Sequence, residues 1–227
     1  MAYKQLVSST QSAPLFQKNV ALVALAVLIL AACAGSKTTK TNDLQLYLSY
    51  LTGDFDNQAQ IDQQIKAGQQ LHPLAKHITR VITDRVANVP AGYKGVFVLE
   101  ESYYTSPNQE VQVKPYIFKF LLNEAGKVVL HSIGIPARID KKTFTNNNPS
   151  WSLDFSELTE SASFKAVAYT KTPRGFYIKA PNDLPGGIKF TLEETIGDGY
   201  LEVMELAEKN GKRLTPYETP IQYLRTK

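Results

Sequence analysis

The sequence predicts an all-β fold, an antiparallel β-barrel entered through short N-terminal helices. Three observations lead there. Twelve Tyr and ten Phe favour strands over helices. Beyond residue 78 the apolar residues fall in short runs rich in Val, Ile, Phe and Tyr rather than at helical spacing. Clusters of Gly, Pro, Asn and Asp interrupt those runs at regular intervals. About ten such strands indicate a sandwich or a barrel, and closure into a barrel removes exposed edges. A barrel of that size has a lumen that side chains fill or a small ligand occupies.

Taken in order, the first folded segment is helical. Leu44, Tyr47, Leu48 and Leu51 recur at three- and four-residue spacing, Thr41, Asn42 and Asp43 offer N-caps, and Gly53 offers a stop. A second short helix is predicted over 57–66, ending near Gly68. Strands follow over 78–82, 94–105, 115–123 and 127–135, the last two joined by the turn Asn123-Glu124-Ala125-Gly126. Further strands are predicted over 151–155, 163–170, 175–179, 187–194, 200–208 and 220–224. Turn chemistry separates them at Asn146-Asn147-Asn148-Pro149, Pro181-Asn182-Asp183, Pro185-Gly186-Gly187, Gly197-Asp198-Gly199 and Asn210-Gly211. The stretch 200–208 also contains good helix formers, but Leu201, Val203 and Glu205 alternate with polar neighbours and Asn210-Gly211 follows, which favours a hairpin.

Upstream of the helices the chain reads as a targeting segment. Lys4 and Lys18 precede an unbroken run of thirteen Val, Ala, Leu and Ile from residue 20 to residue 32. As a helix that run covers ~20 Å, short of the ~30 Å hydrocarbon core, and suits a signal-peptide h-region. It ends in Leu30-Ala31-Ala32-Cys33, which matches the bacterial lipobox. Small residues precede the cysteine there because the peptidase pocket excludes bulk, and the thiolate takes the diacylglycerol. Cys33 is the only cysteine in the chain. The expected organisation is therefore a lipoprotein signal peptide over 1–32, a lipidated tether over 33–42 and one barrel domain over 43–227. Ala34 and Gly35 after the cysteine, with no aspartate, point to the outer membrane as the address.

Composition excludes several function classes. With Lys4 and Lys18 removed, 23 basic residues face 21 acidic ones, net +2. No Lys/Arg cluster interleaves with aromatics, so nucleic acid is not an expected partner. One cysteine allows no intramolecular disulfide. His72 and His77 flank Pro73 with no third ligand nearby, and His131 is isolated, so no metal site is expected. Neither a Gly-x-Ser-x-Gly elbow nor a phosphate-binding glycine loop is present.

Three segments, in order and in register, resemble the T-type phycobiliprotein chromophore lyases, the CpcT/CpeT family. Gly53-Asp54-Phe55-Asp56-Asn57-Gln58-Ala59-Gln60 is similar to the family's Gly-x-Phe-x-Asn-x-x-Gln opening. Val96-Phe97-Val98-Leu99-Glu100-Glu101-Ser102-Tyr103 is similar to its apolar strand ending in Glu-Gln-Ala-Tyr. Pro115-Tyr116-Ile117-Phe118-Lys119-Phe120 stands where the family has Pro-Tyr-Arg-x-Arg. The resemblance covers about 43–136. It implies a calycin-like (lipocalin-like) barrel that binds an open-chain tetrapyrrole, a bilin, not covalently held. The family helps join that bilin to a cysteine of an acceptor phycobiliprotein. There are departures: Glu101 replaces the glutamine, Ser102 the alanine, Ile117 the first arginine and Lys119 the second. Lysine keeps the charge but loses the planar fork that grips a propionate at two points. The family's cysteine-containing stretch has no counterpart in the second half, and its lyases work in the cytoplasm, whereas this chain reads as exported.

Glu100 and Glu101 are adjacent in a strand and so face opposite sides. Glu100 matches the family glutamate and is the candidate catalytic or ligand-facing carboxylate. Tyr103, Tyr116, Phe118 and Lys119 are the candidate ligand-binding residues. Lys119 alternates against Tyr116, Phe118 and Phe120, so it faces away from that aromatic row, towards solvent or a neighbouring-strand glutamate. Asn57 and Gln60 are expected to brace the helix–barrel junction, and Trp151 to lie in a core. The sequence thus reads as a membrane-anchored lipoprotein whose barrel binds a small, partly apolar, tetrapyrrole-like ligand. An active bilin lyase and a structural envelope lipoprotein are the alternatives. An empty lumen with a polar floor favours binding, and a lumen filled by Phe, Tyr and Leu favours the structural role.

The anchor makes one prediction. Membrane-extracted protein should carry a diacylglyceryl group on Cys33 by intact-mass analysis, and Cys33→Ser should be released from membranes. A serine variant that stayed bound through a high-salt wash would exclude lipid anchoring at this residue.

Overall fold

The computed structural model describes residues 42–105 and 111–227; the leader, Cys33 and the tether before Asn42 lie outside the described residues. The first helix, α1 (Asp43–Leu51), starts at a capping box. The Asn42 side chain accepts from the Gln45 N–H at 2.8 Å, and the Gln45 side chain accepts from the Asn42 N–H at 3.4 Å. Leu44, Tyr47 and Leu51 are its buried face. No helix among the described residues is long and apolar enough to cross a membrane.

A short strand that the sequence reading did not contain, β1 (Gly53–Asp56), follows at once. Four residues with one large apolar side chain carry too little periodicity to announce a strand. It is nonetheless central, pairing antiparallel with β2 (Leu74–Val81) on one side and with the last strand, β14 (Ile221–Arg225), on the other. Gly53 has φ +150°, and a Cβ there would run into the Arg225 guanidinium and the Lys227 carbonyl. Arg225 uses that space to donate to the carbonyls of Ser49, Tyr50 and Thr52, groups that the end of α1 leaves without helical partners. Between β1 and β2 lies α2 (Gln58–Lys66). Asn57 does not cap it; its amide donates to Pro73 O at 2.9 Å and accepts from Ala75 N at 2.8 Å. Gln60 does the same towards the far end of the chain, donating to Pro220 O and accepting from Gln222 N. Both side chains join α2 to the barrel wall.

The wall continues through β4 (Val96–Thr105), β5 (Val111–Leu122), β6 (Val128–Ile133), β10 (Gly175–Leu184), β11 (Ile188–Gly197) and β12 (Tyr200–Lys209), with β13 (Lys212–Arg213) on the edge of β12. The short strands β8 (Val167–Ala168) and β9 (Thr170–Thr172) complete it. The order is β8-β6-β5-β4-β2-β1-β14-β12-β11-β10-β9, antiparallel throughout. The two ends of that order are consecutive in the chain, separated by Tyr169 alone. Strand β8 pairs with β6, β9 pairs with β10, and the Lys165 N–H donates to the Asn182 side chain of β10 at 3.0 Å. The sheet is therefore a nearly closed antiparallel barrel, the all-β architecture expected from the sequence. Turns of the expected chemistry join its hairpins. Asn210 and Gly211, with φ +52° and +75°, are the two-residue turn that resolves 200–208 as strand.

Three expected boundaries need correction. The segment 163–170, read as one strand, is not strand before Val167 and divides into β8 and β9 at Tyr169. Pro181-Asn182-Asp183, read as a turn, lies inside β10. Strand β9 pairs only with Gly175, Phe176 and Tyr177, so beyond them one side of β10 has no β9 ladder for Pro181 to interrupt. The segment 151–155 is not a barrel strand: β7 (Leu153–Asp154) pairs in parallel with β3 (Val86–Ala87) outside the wall. It belongs to a loop that leaves β6 and lies on the outer face of β4 and β5, burying Phe144, Trp151 and Leu153 against Phe97, Leu99, Ile117 and Ile133. Arg85 stacks 3.2 Å from the Trp151 ring centroid. Glu101, 2% exposed, accepts from the Asn146 backbone at 2.6 Å and its side chain at 2.7 Å.

Gly53→Ala should lower the unfolding free energy by about 2 kcal/mol, because a strained backbone and a displaced Arg225 act together. Urea denaturation of the variant checks this; an unchanged midpoint would show that Arg225 does not need the space.

Candidate functional site

Alternation sorts each strand into an inner and an outer row. Cross-strand register then stacks the inner residues into layers: Ala75, His77 and Thr79 on β2 face Tyr104, Ser102 and Glu100 on β4. Glu100 and Ser102 in turn face Tyr116 and Lys114 on β5. From the other half of the barrel, Glu194 on β11 and Glu205 on β12 enter with Leu192, Leu201 and Val203. One end is closed by α1, whose fully buried Tyr47 packs on Phe120, Tyr169 and Phe176 at centroid distances of 4.9, 4.7 and 5.3 Å. The middle is not filled. A cavity of about 260 Å³ remains, walled by Tyr116, Phe118, Leu130 and Leu192. Lys114, Lys165, Phe164 and Phe190 line it as well, and the two phenylalanine rings meet edge-on at 5.9 Å.

Its polar side is one histidine and three glutamates. His77 Nδ1 lies 3.6 Å from Glu100 Oε1, an ion-pair separation longer than a hydrogen bond, and the imidazole packs 4.4 Å from the Tyr223 ring. Ser102 Oγ donates to Glu100 at 3.1 Å. Tyr169 donates to Glu194 at 3.1 Å and Tyr104 to Glu205 at 3.5 Å. Burial is the largest influence on Glu100 and opposes its ionisation, but the charge of His77 and the hydrogen bond from the Ser102 hydroxyl outweigh it and hold the carboxyl below its ordinary value. Burial likewise disfavours the His77 cation, and the field of Glu100, then of Glu205 and Glu194, outweighs it and raises that pKa. Glu194 has no such counterion: burial, then repulsion from Glu100, pushes it up to about 8. Burial raises Glu205 too. Near neutral pH the lumen therefore holds the Glu100 carboxylate, backed by His77, beside the Glu194 carboxylic acid, two groups of one chemical type held in opposite protonation states.

Of the residues singled out from the sequence, Glu100, Tyr116 and Phe118 line the cavity together. Tyr103 and Lys119 do not, because odd-numbered residues of β4 and β5 form the outer row. The Tyr103 hydroxyl donates to Glu101, and Lys119 donates to Glu160 at 2.6 Å, with His131 2.9 Å from the same oxygen. The cations that reach the lumen are Lys114 and Lys165. Gly53, Phe55, Asn57 and Gln60 build the junction of the helices with the wall, and Pro115 sits on the buried outer row of β5 beyond the end of β6. Sequence reasoning missed His77, Glu194 and Glu205. A signal existed for the two glutamates: Glu205 continues the Leu201–Val203 alternation, and Glu194 sits between Leu192 and Ile196. His72 is structural, held between Gln64 at 2.7 Å and the Thr219 carbonyl at 2.8 Å. No group of three His, Cys, Asp or Glu among the described residues is placed to hold a metal.

No family model matches the chain, and no curated protein and no solved structure matches it.

The Glu194 shift has a definite sign. Between the unfolded carboxyl value near 4.5 and about 8, the folded protein keeps a proton that the unfolded chain releases. Stability from this group is full below the lower value and falls as pH rises through the upper one. Glu194→Gln, which mimics the protonated acid, should match wild type at pH 4.5 and exceed it at pH 9. The difference should be on the order of 2 kcal/mol, less than a dry site would produce because the cavity reaches water. Urea unfolding across that range tests this, and parallel pH profiles for the two proteins would refute it.

Proposed function

We propose that this protein is a ligand-binding barrel, anchored to the outer membrane through lipid on Cys33, which takes up a small, partly apolar molecule of the tetrapyrrole type. The observation that carries the reading is a lumen left open, with aromatic walls on one side and Glu100, His77, Glu194 and Glu205 on the other. A barrel serving only as a scaffold gains by packing that space, and buried carboxylates without strong partners cost stability. Binding sites have this build: an apolar concavity with a few converging polar groups and shifted pKa values. Its volume, about 260 Å³, lies just below the ordinary range of roughly 300–1,000 Å³. It suits one or two rings of a linear tetrapyrrole with the remainder across the mouth, or the whole of a smaller molecule. Pyrrole N–H groups would meet the glutamates, and Lys114 and Lys165 offer point charges to propionates. The three family-like segments support the same class.

A second reading, an active bilin lyase, has one specific observation in its favour. The Glu100–His77 pair and the protonated Glu194 supply an acid and a base within one cavity.

Titrating the 42–227 fragment with biliverdin and phycocyanobilin, then adding an apo-phycobiliprotein β subunit, separates the readings. The expected result is a saturable absorbance change without covalent transfer. Adduct formation above the spontaneous rate, lost in Glu100→Gln, would establish the lyase instead. Absence of binding at tens of micromolar, on the order of −6 kcal/mol, would remove tetrapyrroles from consideration.

A further inference from the structure

The inner and outer rows of the barrel treat their carboxylates differently. On the outer row Glu193 is matched by Lys179 at 3.0 Å and Glu202 by Arg174 at 2.7 Å. On the inner row Glu100, Glu194 and Glu205 converge on one cavity, and among the described residues no Lys or Arg ion pair reaches any of them. Their one basic partner is His77. Lys114, the nearest candidate on β5, stands 5.5 Å from the Tyr104 ring rather than on a carboxylate.

Hydrogen bonding leaves the same deficit. Among the described residues each inner carboxylate accepts a single side-chain donor, a hydroxyl, although a carboxylate accommodates about four. His77, 5% exposed, lines the cavity with its Nδ1 lacking a hydrogen-bond partner, and the hydroxyl of Tyr47, 0% exposed and also lining the cavity, lacks one too. Buried polar groups are normally satisfied; the three carboxylates are short of donors and of positive charge, and His77 and Tyr47 beside them are short of partners. An anion among these groups would meet the Glu100 carboxylate and oppose ionisation of Glu194 and Glu205, and among the described residues Lys114 and Lys165, which line the same cavity, are ion-paired to none of the three. A neutral molecule would leave Glu194 and Glu205 without a counterion. The walls add a preference for shape: the Tyr116 and Phe118 rings stand parallel, 5.9 Å apart and inclined by 8°, with π faces that suit a flat body and attract cations.

We propose that the lumen recognises a small organic ammonium ion, a primary amine on a flat apolar body, with its nitrogen among Glu194, Glu205 and Glu100 and its body between Tyr116, Phe118 and Leu192. This rests on the lumen being a binding site, as argued above, but not on a tetrapyrrole being its ligand. An ammonium group brings three N–H donors and one positive charge to the place that lacks both. Its burial would also favour ionisation of Glu194 and Glu205, strengthening the contact as it forms.

Three indoles of nearly equal size and different charge test this: tryptamine, the neutral alcohol tryptophol and indole-3-propionate. The whole chain in phosphatidylcholine nanodiscs is titrated calorimetrically with each, and empty nanodiscs are subtracted. Tryptamine should bind at least 30-fold tighter than tryptophol, and indole-3-propionate most weakly. In a Glu194→Gln, Glu205→Gln protein the tryptamine advantage over tryptophol should shrink at least tenfold, and an unchanged circular dichroism spectrum shows the barrel intact. Equal or tighter binding of the alcohol or the acid overturns the ammonium assignment and leaves the binding site standing. An undiminished tryptamine advantage in the double variant overturns it as well. If none of the three binds, while the bilins of the preceding experiment do, the assignment falls alone; if nothing binds in either experiment, the binding-site reading falls with it.

Discussion

The two edges of the sheet are joined by six consecutive residues, Val167 to Thr172, and the rest of the molecule depends on that junction. Its first part pairs with β6 and its last part with β10, and the Tyr169 N–H between them donates to Val128 O at 2.8 Å. Tyr169 then does two things with its side chain. Its ring packs against Tyr47 of the helix that closes one end, and its hydroxyl donates to Glu194 in the lumen. Wall closure, end closure and the acidic cluster therefore meet at one residue. An opened seam would expose strand edges and flood the lumen with water, and the burial that shifts Glu194 would be lost.

A closed wall makes the period-two rule of a strand absolute, because no residue can turn to the other face without breaking the register of its neighbours. Consecutive residues consequently carry unrelated tasks. Glu100 points inward to His77, whereas Glu101 points outward and secures the 134–166 loop through Asn146. Phe118 walls the cavity, and Lys119 pairs with Glu160 outside. Glu194 is a half-buried acid held by the Tyr169 hydroxyl, and Glu193 is a surface ion pair. The outer contacts are of the kind that stabilise a wall. Within the inner cluster Glu194 and Glu205 work against stability, since each gives up hydration without gaining the kind of counterion that Glu100 has in His77. Groups that weaken a fold while converging on an open cavity are characteristic of sites rather than scaffolds.

Much of this was readable along the chain. Strand-forming composition, turn residues and alternation are local properties, and they determine that 96–105 and 115–122 are strands, that Glu100 and Glu101 part company, and that Lys119 opposes Tyr116 and Phe118. The capped first helix and the Asn210-Gly211 turn follow from backbone chemistry within a few residues. What failed to show was non-local. The four residues of β1 are a strand only because β2 and β14 flank them, Pro181 is tolerated only where β9 has ended, and Trp151 lies in a loop because an apolar outer face on β4 and β5 was available to cover. Above all, His77 and Glu100 come from the first half of the chain and Glu194 and Glu205 from its last fifth, and they meet only because β1 pairs with β14 and the 167–172 segment closes the ring. Alternation says which way each side chain points. Which side chains then face one another across the lumen is decided by strand order and register, and those depend on contacts between segments more than a hundred residues apart.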